Sequence, residues 1–391
     1  MPHLRNRYLL EIIKKKLTFS PVVTIQGARQ AGKSFFVKNI LKSHYPKFGY
    51  VTFDKSSDKD FAETNPDTFL SNHIESKPLA IDEAQKVPRI FDAIKYSVDE
   101  NKRPGKYILL GSTEFSKLHK IRESLTGRIS KARLYPLTVT ESLNKPLSTS
   151  SEPFHLNKNA HITRPELMRY LSNGGFPGIF SVHSNSERTS LINDWLELTT
   201  ERDIHQFPGI KLESKICQRI LKGIAILDHP DQANITTYCK RDSRIVKRHI
   251  EALMTLFVIT QLSPYSGGTG KPIYFLCDVA LATFLGADFK RQLYTFVVNE
   301  LLAKQFYKEN HAITYFYYRN QKGSIIDLVE EKGKDVSILK IHDEERVTSK
   351  NLYLLNAFKE KFKTNKAYLL GPSNQKWDDY GIEVVPWEAL G

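Results

Sequence analysis

The stretch PVVTIQGARQAGKSFFVKNI, residues 21–40, constrains this chain more than any other. Val22, Val23 and Ile25 form a short β-branched run suited to a buried strand, and Phe35, Phe36, Val37 and Ile40 follow at helical spacing. Between them GARQAGKS fits G-x-x-x-x-G-K-[ST], a phosphate-binding loop. Gly27 and Gly32 let the backbone turn tightly and aim its amides inward, and Lys33 and Ser34 open a helix whose positive end faces an anion. A triphosphate such as ATP suits this cradle, lined by Gly27, Ala28, Arg29, Gln30, Ala31, Gly32, Lys33 and Ser34. Lys33 reaches the β- and γ-phosphates there, and the Ser34 hydroxyl takes a place on a magnesium ion.

Two further strand ends carry the groups that hydrolysis needs. PLAIDEAQKVP, residues 78–88, is an apolar run ending in Asp82 and Glu83. The first carboxylate is expected to hold hydrated magnesium and the second to polarise the attacking water. KYILLGSTEF, residues 106–115, reads as another strand, with Ser112 and Thr113 at its end; in a parallel sheet they emerge beside the phosphate loop. Thr113 serves equally well as a sensor of the γ-phosphate or as a helix cap. Arg128, in SLTGR, either meets phosphate charge across a subunit boundary or binds local carbonyls.

The ordered set GARQAGKS, LAIDEAQKVP, ILLGSTEF, SLTGRISKARLYPLTVTE, YLSNGGFPGIF and WLELTTERDI resembles the predicted ATPases of the AAA+ superfamily found in bacteria and archaea, which join an ATPase core to a C-terminal restriction-endonuclease-like domain. The resemblance covers nearly the whole chain. It implies Lys33, Ser34, Asp82 and Glu83 in their usual roles, Ser112 near a sensor position and Arg128 in a glycine-arginine element. Ala28 stands where the family commonly has proline and Ser34 where it commonly has threonine, and neither change removes a needed group.

Beyond the polar stretch NKPLSTSSEPFHLNKN, residues 144–159, the pattern turns helical, and LINDWLELTTERDIHQF reads as one long helix carrying Arg202 and Asp203. NITTYCKR reads as a short helix, DSRIVKRHIEALMTLFVI as a second, and TQLSPYSGGTGKPIYFL as two strands about a glycine-rich tip. That order is a winged helix, with Arg244, Lys247 and Arg248 on the outer face of its second helix. In the last part, a metal-dependent nuclease needs a carboxylate at a strand end, a second carboxylate two residues before a lysine, and often a helix glutamate. Asp327, Lys340 and Glu300 supply three of these, but the remaining carboxylate position is Ile338, which disfavours nuclease activity.

The 57 Lys and Arg residues against 43 Asp and Glu leave a net charge of +14, which suits nonspecific DNA or an acidic protein as partner. The apolar positions of MPHLRNRYLLEIIKKKL are broken by charge before a signal-peptide core forms, and no run is long enough to span a bilayer, so a cytoplasmic location is expected. Cys217, Cys239 and Cys277 lack metal-ligand spacing.

The expected architecture is therefore an α/β chain in three parts: a P-loop AAA+ ATPase core (1–145), a helical lid and winged-helix region (146–280), and a degenerate restriction-endonuclease-like α/β domain (281–391). The expected activity is magnesium-dependent ATP hydrolysis that moves a basic module, with homo-oligomerisation open. An ATP-regulated DNA-binding protein or nuclease, and a nonhydrolysing nucleotide switch in a protein assembly, are the alternatives.

Overall fold

The computed structural model describes residues 4–117, 127–157, 162–206, 211–344, 349–372 and 381–391. Two compact units divide the described chain: Leu4–Pro136 with Thr255–Val258, and Leu137–Met254 with Ile259–Gly391.

The first unit is built on a parallel sheet of β1 (Val22–Gln26), β2 (Gly49–Thr52), β3 (Leu79–Asp82), β4 (Tyr107–Gly111) and β5 (Ile129–Arg133), in the order β2-β3-β4-β1-β5. Every residue of β1, β3 and β4 is buried, the pattern of parallel strands covered on both faces. Ile90, Phe91, Ile94 and Val98 line one side of the helix Arg89–Glu100, and Leu9, Ile12, Ile13 and Leu17 line one side of the helix Leu9–Leu17. These apolar stripes at three- and four-residue spacing are what a helix packed on a sheet requires.

The second unit begins with helices. Arg164–Asn173 starts from a Thr163–Glu166 capping box, in which each side chain satisfies the other residue's amide. Asn185–Glu197 continues through wider and tighter turns to Gln206, so the long helix expected from LINDWLELTTERDIHQF is helical to Gln206 with an irregular C-terminal half, and Phe207 lies outside the described residues. The helices Ser214–Ile226, Gln232–Cys239 and Ser243–Thr255 lead into an antiparallel hairpin of β6 (Ile259–Pro264) and β7 (Ile273–Leu276). Val258 and Ile259 leave the helix read from the sequence, because the chain turns at Phe257, where φ is +59°.

The hairpin does not stand alone. Ser263 and Pro264 of β6 pair in parallel with Phe316 and Tyr317 of β8 (Ile313–Arg319), and the sheet runs on through β9 (Ile325–Lys332), β10 (Asp335–Ile341), β11 (Lys366–Gly371) and β12 (Ile382–Pro386). The result is seven strands in the order β12-β11-β10-β9-β8-β6-β7. Leu293, Phe296, Val297 and Leu301 of the helix Phe289–Tyr307 join its core beside Tyr315, Leu328, Leu339 and Tyr368. Among the described residues no helix is long and apolar enough to cross a membrane.

Buried carboxyls in this unit set a pH dependence. Glu330 accepts the Phe154 amide at 2.5 Å, and burial pushes its carboxyl from 4.5 up to about 7. A carboxyl raised on folding binds its proton more tightly in the native state, so its contribution is complete below about pH 4.5 and is lost as pH rises through about 7. That loss is on the order of 3 kcal/mol. Glu330→Gln keeps an acceptor for Phe154 without a proton to release. Urea midpoints followed from pH 4.5 to 7 are expected to fall less steeply in the variant than in the wild type; parallel curves refute the assignment.

Candidate active site

Because β1, β3 and β4 are parallel, their C-terminal ends share one edge, the edge at which open α/β sheets bind ligands. The loop after β1, Asp82 and Glu83 after β3, and Ser112 and Thr113 after β4 all stand there. Since β4 lies between β1 and β3, the two hydroxyl residues lie between the loop and the acidic pair.

The loop is held by internal cations. Lys33, buried at 6% exposure, donates from Nζ to the carbonyls of Gly27 and Ala28 at 2.8 and 2.9 Å. The Arg7 guanidinium donates to Ala31 O at 2.9 Å and to Tyr135 O at 2.6 Å. Ala28 and Ala31 are buried, Arg29 is half-buried, and Gln30 is exposed with φ +60°. Gly32 takes φ +98°, left-handed backbone that favours glycine, and the helical run through Lys33 and Ser34 starts from it. A Cβ on Gly27 would fall 2.1 Å from Leu134 O, a backbone atom that cannot step aside. Gly27→Ala is therefore expected to displace the loop and weaken ATP binding at least tenfold in a calorimetric titration; affinity within twofold of wild type contradicts this reading.

Asp82 is 3% exposed and both of its oxygens are engaged: Oδ1 accepts the Glu83 amide at 3.0 Å and Oδ2 the Tyr50 hydroxyl at 2.5 Å. The Ser34 side chain interacts with the same Tyr50 hydroxyl, so the helix after the loop and the end of β3 meet at one phenol. Glu83 sits at φ +54° and accepts Gln85 Nε2 at 2.5 Å. Burial holds its carboxyl above the usual carboxylate range, the Lys33 ammonium opposes that rise and the Asp82 charge adds to it. Lys33, Asp82 and Glu83 thus act on one another electrostatically.

Ser112 Oγ and Thr113 Oγ1 are buried, in residues 3% and 1% exposed, and neither has a hydrogen-bond partner among the described residues. Buried hydroxyls are normally satisfied, so two orphans side by side at this edge point to a polar ligand. Gln26 Nε2 donates to Thr113 O at 2.6 Å and ties the end of β1 to the same turn. For a metal, the carboxylate of Asp82 and the hydroxyl of Ser34 are hard oxygen donors, the set that suits magnesium.

Arg128 does not join this group within one chain. It precedes β5, whose Ile129 pairs with Val22 at the start of β1, so it stands at the opposite edge of the sheet, a strand length of about 16 Å away. There its Nε and a terminal nitrogen hold Asp99 at 2.7 and 2.8 Å. The arginine that β5 carries to the loop's edge is Arg133, opposite Gln26, its guanidinium lying over the rings of Tyr135 and Phe257.

In the second unit, Lys340 Nζ lies 2.9 Å from Asp327 Oδ2 across β9 and β10. Glu300 does not point to them; its Oε1 accepts the Val139 amide at 2.6 Å and its other oxygen lies 3.9 Å from Lys304 Nζ. Ile338 is wholly buried. Among the described residues no group of three or more His, Cys, Asp and Glu is placed to hold a metal ion.

Tyr50, Gln26, Gln85 and Arg7 were not anticipated from the sequence. Tyr50, Gln26 and Arg7 act through contacts between residues 32 to 128 positions apart, whereas Gln85 lies in the stretch that carries Asp82 and Glu83 and reaches Glu83 two positions away.

Comparison with known proteins adds to this geometry. Residues 293–390 match a domain of unknown function, DUF4143, and residues 164–291 another, DUF8612. An uncharacterized protein of Mycobacterium tuberculosis is 26% identical over 293 residues, covering 71% of this chain and 58% of its own length. One of Methanocaldococcus jannaschii is 28% identical over 221 residues, covering 54% and 48%. The chain thus spans about half the length of the curated relatives it matches. Among solved structures, a Walker-type ATPase of Pyrococcus abyssi is 15% identical with a TM-score of 0.44, covering 70% of this chain and 93% of that one. A signal-transduction ATPase with a tetratricopeptide repeat sensor from Pyrococcus horikoshii is 14% identical with a TM-score of 0.30, covering 78% and 48%. Neither superposition is close enough to carry an argument. Residues 19–143 match the model of an AAA domain, which supports a P-loop ATPase in this part of the chain.

Proposed function

We propose that the chain binds ATP with magnesium and hydrolyses it to ADP and phosphate. The observation that carries this reading is the meeting of Lys33, Ser34, Asp82 and Glu83 at one sheet edge, where Lys33 acts electrostatically on Glu83 and Tyr50 donates to Asp82. Magnesium held by Ser34, and through water by Asp82, would supply positive charge to the phosphate oxygens. Lys33 leaves the carbonyls of Gly27 and Ala28 to neutralise the β- and γ-phosphates. Glu83 orients a water for in-line attack on the γ-phosphorus and accepts its proton as the bond to the bridging oxygen breaks. Ser112 and Thr113 offer their unpartnered hydroxyls to the γ-phosphate or the water.

The rest of the chain is read as what the ATPase acts on. We take residues 1–145 as the ATPase core, 146–280 as a helical lid with a winged helix, and 281–391 as a restriction-endonuclease-like platform without nuclease activity. The winged-helix reading is supported by three helices leading into a hairpin and by the bridge between Asp231 and Ile273. The buried Ile338 and the inward-turned Glu300 support a platform rather than a nuclease. Arg128 and Arg202 have a catalytic part only if a second copy of the chain presents them. A cytoplasmic location accords with this reading.

Nonspecific DNA is the second reading for the partner, ahead of an acidic protein. It is favoured by Arg241, Arg244, Lys247 and Arg248, which lie on and beside the helix Ser243–Thr255 and leave their charge on its outer side. Phosphate release measured with and without duplex DNA tests both proposals. Magnesium-dependent turnover is expected in either case, with a rise on DNA that salt abolishes. Absence of turnover under every condition sinks the hydrolysis reading and leaves a nucleotide switch; turnover indifferent to DNA sinks the DNA reading.

A further inference from the structure

Tyr50 belongs to no motif, yet it gathers more of the site than any other side chain. It lies on the edge strand β2, and its hydroxyl donates to Asp82 Oδ2 at 2.5 Å while the Glu83 amide holds Oδ1 at 3.0 Å. The Ser34 and Thr52 side chains interact with the same hydroxyl. Lys38, one turn beyond Ser34, places its ammonium 4.3 Å from the centroid of the Tyr50 ring. One residue therefore ties the helix after the loop to the end of β3.

This tie matters because the two oxygen donors reach the site by separate routes. Ser34 follows β1 and Asp82 ends β3, and β4 intervenes between those strands. Backbone hydrogen bonds of the sheet fix where Asp82 begins, but they do not fix the direction of its carboxylate. A carboxylate that holds a metal through water must be aimed, and a hydrogen bond from a neighbouring side chain is the usual means.

We propose that Tyr50 is a positioning residue for the magnesium ion of the bound nucleotide, its hydroxyl aiming the Asp82 carboxylate toward Ser34. The proposal rests on the ATP-site reading above. Through this phenol, metal affinity depends on the spacing between the loop helix and β3, so nucleotide and magnesium bind as a unit.

Tyr50→Phe keeps the ring under Lys38 and removes only the hydroxyl. The probe is an ATP carrying a methylanthraniloyl fluorophore, titrated in EDTA and then across a range of magnesium concentrations. In the wild type, magnesium should tighten binding. In Tyr50→Phe the magnesium concentration for half of that tightening should rise about 10-fold to 100-fold, with affinity in EDTA unchanged. Direct Mn2+ binding to the nucleotide-loaded protein, followed by electron paramagnetic resonance, should weaken in parallel. An unchanged or lower magnesium midpoint overturns the proposal, as does an equal loss of affinity in EDTA, which a merely structural role would cause. A wild-type chain that binds no nucleotide overturns the ATP-site reading itself, and this inference with it.

Discussion

Lys33→Ala is expected to reduce ATP turnover by roughly 10²–10³-fold or more, the scale seen when one preorganised charge-stabilising donor is removed. The cost has two sources in this site. The ammonium is buried and satisfies the Gly27 and Ala28 carbonyls, so its loss leaves two acceptors of the loop without their donor. It also removes the positive charge that acts on Glu83 and that would meet the phosphates. Lys33→Met restores the aliphatic stem but neither the donor nor its charge, so comparing it with Lys33→Ala separates the loss of packing from the loss of the ammonium. If charge is the larger part, both variants lose phosphate release equally and bind ATP comparably weakly in calorimetry. Turnover within threefold of wild type in Lys33→Ala would exclude this loop as the site of hydrolysis.

Glu83→Gln is expected to spare binding. The side chain keeps its length, and its surroundings can satisfy an amide: Gln85 presents Nε2 to Glu83, while its own Oε1 is buried without a partner. Turning the Gln85 amide over lets that oxygen accept from the amide group that the substitution introduces. ATP affinity should therefore stay within a few-fold of wild type, while turnover falls about 10²–10⁴-fold with the loss of the group that takes the water's proton. Single-turnover phosphate release against fluorescent-ATP binding reads the two quantities separately. A parallel loss of both would assign Glu83 a structural part in the left-handed turn it occupies, rather than a catalytic one.

These two residues were legible in the sequence because each is fixed by local order. Lys33 follows a strand and a glycine-bounded loop and opens a helix, and Glu83 follows a short apolar run that reads as a buried strand about fifty residues after that loop. Their convergence needed one further assumption, that the strands are parallel, and uninterrupted apolar runs already imply that. The orphaned hydroxyls of Ser112 and Thr113 stand where that assumption puts them.

Arg128 shows what local order leaves open. Its position after Gly127 resembles a functional element, but the direction of β5 takes it to the far edge of the sheet and brings Arg133 to the near one. Reading which end of a strand faces a ligand requires the pairing register, which a single strand does not carry. Glu300 differs in a related way: it lies on a helix, but its carboxylate turns to Val139 and Lys304 rather than to Asp327.

By itself the sequence determined the phosphate loop, the acidic strand end, the parallel character of the first sheet and the order of helices and hairpin in the middle of the chain, because each depends on residues within one turn or one strand of each other. Only the tertiary structure decided that the hairpin is the edge of a seven-stranded sheet, that Arg128 lies away from the loop, and that Tyr50 joins Ser34 to Asp82. Those outcomes depend on strand order, register and side-chain direction between segments far apart in the chain, and no local periodicity encodes them.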